Sequence, residues 1–182
     1  GVTVSRTEAA SDLYAAMLAN HLGDGDPDAL ASLATELRDD HASSTYARFG
    51  AMLEARIAVD AGDMTGAEAA LRWALTAGDT GSDIGQLIQL RLARVLADQG
   101  NETEALAILA KGSSAYPVAY AQAEGDIHLA AGRPEAVLAA YRQGRDLASD
   151  LGQYSVVLDN KVRTLETRLP PSSEDAPAED AS

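Results

Sequence analysis

Residues able to do chemistry are few and scattered along this 182-residue chain. The three histidines, His21, His41 and His128, lie far apart, and none sits in a His-Glu-x-x-His run that would set two metal ligands on one helical face. Asp24, Asp26 and Asp28 alternate like the start of a calcium loop. Ala29 stands where such a loop needs glycine, however, and Thr35 where it needs the closing glutamate, so helix capping explains the aspartates better. The stretch from Gly78 to Gly85 is glycine-rich but has no following Lys-Ser/Thr to cradle phosphates. Gly112-Ser113-Ser114 lacks the closing glycine and the preceding strand of a nucleophile elbow. Cysteine is absent, which removes disulfides, thiolate catalysis and cysteine-ligated metals. The chain is therefore read as non-enzymatic, with no catalytic residues, no metal and no cofactor.

Binding is the chemistry that the spacing does support. Positions i, i+3, i+7 and i+10 carry Phe49, Met52, Arg56 and Val59, and again Leu87, Leu90, Arg94 and Ala97. Each set falls on one side of a helix. On the first helices of stacked pairs that side lines a concave surface, where apolar side chains with one arginine per helix can hold an extended segment or a partner helix. Phe49, Met52, Arg56, Leu87, Leu90 and Arg94 are thus the candidate partner-binding residues, with Arg91 close by. The competing reading makes the apolar members ordinary core, covered by the first or the last helices. Trp73, the single tryptophan, is expected to pack within its helix pair, with an exposed anchor for a partner as the alternative.

Those residues need helices to position them, and the composition supplies helices. The chain is 46% hydrophobic but only 4% aromatic, and abundant Ala and Leu favour helices over a sandwich or barrel. Its length suits one ordinary domain with a proper core. Fourteen Lys and Arg against twenty-eight Asp and Glu leave a formal charge of -14. That balance argues against nucleic acid, which needs a basic face, and against docking on anionic lipid by charge alone. No apolar run approaches the roughly 18–20 residues of a membrane span.

Four short breaks, at residues 22–27, 61–65, 99–102 and 131–134, read alike. Their glycines, Gly25, Gly62, Gly100 and Gly132, are 37, 38 and 32 positions apart, and each suits the left-handed residue just past a helix end. Helix starters follow: Asp26-Pro27, Arg133-Pro134-Glu135, and the capping-box spacings Thr65 with Glu68 and Asn101 with Glu104. Seven positions before the last three glycines lie Ala55, Ala93 and Gly125; five after lie Ala67, Ala105 and Val137; nine after lie Leu71, Leu109 and Tyr141. Small residues near each turn let antiparallel helices approach closely, and the larger residue fills the remaining gap. The first break departs, with Leu18, Leu30 and Ala34 at these places, as a capping unit should.

The expected fold is all-α, a tetratricopeptide-repeat-like solenoid of about four helix pairs plus a C-terminal helix. Helices are predicted over about 4–22, 27–39, 44–61, 65–77, 83–99, 102–112, 115–131 and 134–150. A ninth, over about 153–168, carries Val156, Val157, Val162, Leu165 and Leu169 at mixed helical spacing. Residues 1–169 form the helical-repeat domain, and 170–182, proline-rich and acidic without an apolar face, form a disordered tail.

Several segments carry a sharper likeness. Residues 88–106, 123–132, 44–53 and 160–165 resemble the YfgM family of bacterial envelope proteins, in order and over about residues 4–166. The resemblance implies a single-pass inner-membrane protein with a periplasmic helical-repeat domain. It implies an ancillary subunit of the SecYEG translocon that partners the membrane-anchored chaperone PpiD and handles proteins emerging from the translocon, so that unfolded secretory clients are a further partner class. The membrane anchor would end just before Val4-Ser5-Arg6, which fits a chain that starts with Gly1. The acidic tail is not part of that family pattern. Composition and spacing by themselves reach a helical-repeat binding module, against which stands a structural domain that uses its apolar face for self-association.

Overall fold

Every regular element among the described residues, 2–169 of the computed structural model with side chains from Ser5 onward, is an α-helix. The chain forms two compact units, one running to Lys111 and the other starting at Gly112. The first holds α1 (Val2–Leu22), α2 (Pro27–Asp40), α3 (Thr45–Asp60), α4 (Met64–Thr76), α5 (Asp83–Asp98) and α6 (Glu102–Ala110). The second holds α7 (Pro117–Ala130), α8 (Pro134–Asp150) and α9 (Val156–Arg168). The architecture is all-α and tetratricopeptide-like, about four helix pairs and a final helix. No helix of the described residues is long and apolar enough to cross a membrane. The expected disordered tail lies outside the described residues.

Three of the four predicted turns share one hydrogen-bond pattern. Gly62 and Gly100 have φ of 79° and 83°, where a side chain would be strained. In each turn the residue after glycine donates its N–H to the carbonyl five positions back: Asp63 to Ala58 (2.8 Å), Asn101 to Leu96 (2.9 Å) and Arg133 to His128 (3.0 Å). This is the six-to-one bond that satisfies carbonyls left open at a helix end. A fourth copy, Gln153 to Ala148 at 2.7 Å, turns α8 into α9. The turn at Gly25, read as like the others, differs: Gly25 itself donates to Asn20.

Five helix starts, those of α2, α3, α4, α5 and α9, follow a side-chain oxygen, and two starts differ from the sequence expectation. Asp26 caps α2 ahead of Pro27, and Ser44, Ser82 and Ser155 cap α3, α5 and α9. At α4 the cap is Asp63, which accepts from the Gly66 N–H, so Thr65 sits inside the first turn and makes no capping box with Glu68. Asp63 prevails because the glycine turn delivers it directly before the first helical residue. Asp63→Ala should therefore cost about 1 kcal/mol, and Thr65→Ala only a few tenths, in urea unfolding. Asn101 precedes α6 without a side-chain bond to the backbone; its amide donates to Glu104 at 2.9 Å instead.

Two boundaries shift for local reasons. Helix α7 begins at Pro117 rather than near 115, because the residue before proline is pushed out of helical geometry, and the Ser113 hydroxyl accepts the Tyr116 N–H in the approach. Helix α9 begins at Val156 rather than near 153, because Gly152 closes α8 and Ser155 supplies the cap. Its inward face is Leu158 and Val162, both fully buried, while Val156 and Val157 stay about 60% exposed.

The cores confirm the register counted from the glycines. Ala55, Ala67, Ala93, Ala105, Leu71 and Leu109 are all buried. In the second unit Tyr141 takes the leucine's place, and a Cβ at Gly125 would meet its ring at 2.3 Å. The smallest residue thus pairs with the largest, and the Tyr141 hydroxyl donates to Asp126 at 2.5 Å. At the start of the chain Ala10, Met17, Leu30, Leu37, Ala47 and Leu53 form a common core of α1, α2 and α3. Trp73 is half-buried against that core, with the Arg38 guanidinium 5.9 Å from its ring, so it packs beyond its own pair toward α2.

Arg48 is the buried cation that sequence reasoning missed. Its guanidinium donates to the carbonyls of Ala74 at 3.0 Å and Asp79 at 3.3 Å, satisfying the end of α4 and the loop beyond it. That loop closes on itself: Asp79 accepts the Gly81 N–H, and the Gln86 and Gln89 amides donate to Gly81 and Thr80. Its polar groups hold the α4–α5 connection rather than face a ligand.

Candidate partner-binding cleft

The interaction stripe divides by chemistry once α3, α4 and α5 pack together. Met52 and Leu90 are each 7% exposed and belong to the interior. Phe49 and Leu87 are half-buried. The Phe49 ring lies 5.8 Å from Tyr14 of α1 and 6.0 Å from Tyr46, so aromatic neighbours cover it. Arg56 and Arg94 are exposed.

The two arginines meet in a cleft of about 360 Å³, together with Arg91. Ala55 and Val59 of α3, Leu71 of α4 and Val95 of α5 give it an apolar lining, and Asp60 and Asp98 complete it. The helical spacing of 91, 94, 95 and 98 sets Arg91, Arg94, Val95 and Asp98 on one side of α5. On α3, residues 55, 56, 59 and 60 do the same. That pattern was readable in the sequence, but Leu71 between the two helices was not, because it depends on how α4 crosses them. A volume of this size, lined by four apolar and five charged residues, suits a side chain or two of a ligand rather than a globular surface.

Several arginines elsewhere on the surface are paired with carboxylates. Arg72 donates to Glu104 at 2.8 Å and to Glu68 at 3.1 Å, and these bonds, that to Glu104 first, raise its pKa. Arg38 pairs with Glu54, Arg142 with Glu166 at 3.0 Å, and Arg163 with Asp159 at 3.0 Å. Neither Arg56 nor Arg91 has a hydrogen bond or ion pair among the described residues.

The other chemistry-bearing residues stay apart. The His128 Nδ1 accepts from Arg133 at 3.0 Å, and Asp26 is spent on its cap. Among the described residues no group of three His, Cys, Asp or Glu side chains could hold a metal ion.

No curated protein and no solved structure matches the chain. Residues 2–167 match the profile of the Tetratricopeptide repeat-like domain. With nearly its whole helical part inside that match, the chain belongs to the tetratricopeptide repeat-like domain family.

Proposed function

We propose that this chain is the partner-binding repeat domain of a YfgM-type protein, an ancillary subunit of the SecYEG translocon that partners PpiD and assists proteins leaving the translocon. In this reading residues 1–169 are one periplasmic repeat domain, residues 170–182 are its tail, and the full-length protein is tethered to the bacterial inner membrane. The tetratricopeptide-like family is a scaffold class that mediates protein–protein interaction and is not associated with catalysis. The likeness of residues 44–53, 88–106, 123–132 and 160–165 to the YfgM family supports the finer assignment.

The observation that carries the binding role is the apolar cleft in which Arg56 and Arg94 meet. Of the six candidate residues these two touch the partner, while Phe49, Met52, Leu87 and Leu90 set the spacing of the helices behind them. The mechanism is contact: helices already fixed by packing present the cleft, which limits the ordering cost of association.

The test uses the chain as bait in detergent-solubilised bacterial envelope extract, with crosslinking and mass spectrometry. PpiD and SecYEG should be recovered above a control bait, and crosslinks should fall on α3 and α5. Arg94→Glu should lower that recovery about tenfold with an unchanged circular dichroism spectrum, as loss of a charged interface contact does. Recovery of the bait alone would overturn the translocon reading.

A second reading, self-association, draws support from the second unit. Leu151, Tyr154, Val156 and Val157 are between 53% and 63% exposed around the start of α9. Sedimentation would favour it if the chain were a dimer that separated only on unfolding.

A further inference from the structure

We propose that the α3–α5 cleft takes an internal acidic segment of a partner, seating an aliphatic side chain against the exposed Val59, over a floor of buried Ala55, Leu71 and Val95, while Arg56 and Arg91 hold the carboxylate beside it. This rests on the reading of the cleft as a partner site and adds the chemistry of what enters it. Charge is the first support. The chain carries -14 overall, with twenty-eight carboxylates available, yet Arg56 and Arg91 pair with none of those described. Asp60 and Asp98 share the lining but form no ion pair with either of them among the described residues. Guanidinium groups present paired N–H donors that match a carboxylate.

Shape and lining are the second support. A cleft of about 360 Å³ has room for an aliphatic side chain and its neighbour. Val59 beside the arginines gives an apolar contact next to the charged one. Asp60 and Asp98 add acceptors for backbone N–H groups on an extended segment. The chain's own tail fits poorly: it has Glu174, Asp175, Glu179 and Asp180, but its apolar residues are only alanines and prolines, too small to fill the cleft.

The probe is a fluorescein-labelled octapeptide, acetylated and amidated at its ends, with a Glu-Leu-Glu centre, titrated into the full chain by fluorescence anisotropy. Saturable binding is expected, falling as sodium chloride is raised. It should weaken at least about tenfold for the peptide with Gln for Glu, for the peptide with Ala for Leu, and for the Arg56→Gln/Arg91→Gln chain. Val59→Glu, a change at a partly exposed position, should weaken it similarly, so the result does not hang on one variant. Equal binding of the glutamine peptide or of the double variant overturns the proposal. So does binding only by a peptide with a free C-terminal carboxylate, or binding that emerges only when residues 170–182 are deleted, which would make the tail the occupant. If the peptide fails while the bait still captures PpiD and SecYEG, this inference falls and the translocon reading stands. If the peptide binds while the bait captures neither, the reverse holds.

Discussion

Gly125→Ala is expected to destabilise the α7–α8 pair by about 2–3 kcal/mol, although alanine is the better helix former by roughly 1 kcal/mol. The reason is the Tyr141 ring, whose nearest atom would lie 2.3 Å from the new Cβ. Tyr141 is 1% exposed, and its hydroxyl is tied to Asp126, so the ring has nowhere to retreat. The two preceding pairs use alanine and leucine at these places: Ala55 with Leu71, and Ala93 with Leu109. In a Tyr141→Leu background, the same Gly125→Ala change should therefore stabilise by up to about 1 kcal/mol. That reversal of sign is a coupling of about 3 kcal/mol in a double-mutant cycle. Urea unfolding followed by circular dichroism would measure it. Additive effects would show that residues 125 and 141 do not share one packing site.

Ala93→Trp should also be damaging, costing about 1–3 kcal/mol or more by overpacking. Ala93 and Ala105 are fully buried where α5 and α6 approach near their turn. An indole cannot enter without separating the two helices. Because α5 carries Arg91, Arg94 and Val95 of the cleft, peptide binding should fall with stability. Ala105→Trp should behave in the same way from the other helix. A melting temperature unchanged in both variants would mean that the register counted from the glycines is wrong.

The local elements were largely legible because their causes are local. A glycine in the left-handed region, a proline at the first helical position and a small residue seven places earlier each act within a few residues of chain. All nine helices predicted from them are present among the described residues. Misreadings came where two local signals competed. Asp63 and Thr65 both suit a cap, and the geometry of the glycine turn decided for Asp63. At α9, apolar Val156 and Val157 resembled core residues, yet with Ser155 capping the helix they stay exposed, and Leu158 joins the expected Val162 on the inward face.

The candidate site was legible only in part. Repetition of an apolar-and-arginine stripe on α3 and α5 offered Arg56 and Arg94 as candidates, and both are exposed, but the same stripe contained Met52 and Leu90, which packing took into the interior. Periodicity reports which residues share a helical face; it does not report how much of that face a neighbouring helix covers. Arg48 shows the converse. Nothing in its sequence neighbourhood distinguishes it from Arg56, and its burial follows from carbonyls 26 and 31 positions away.

The sequence by itself determined that the chain is helical, where its turns fall, which small and large residues pair across each turn, and that it is strongly acidic. These depend on backbone sterics and on side-chain spacing within one or two helices. Tertiary structure decided which arginines remain without carboxylates, which aromatic rings cover Phe49, and that Leu71 joins α3 and α5 in one cleft. Those outcomes depend on contacts between helices distant in sequence, where a few ångströms of approach separate a buried side chain from an exposed one.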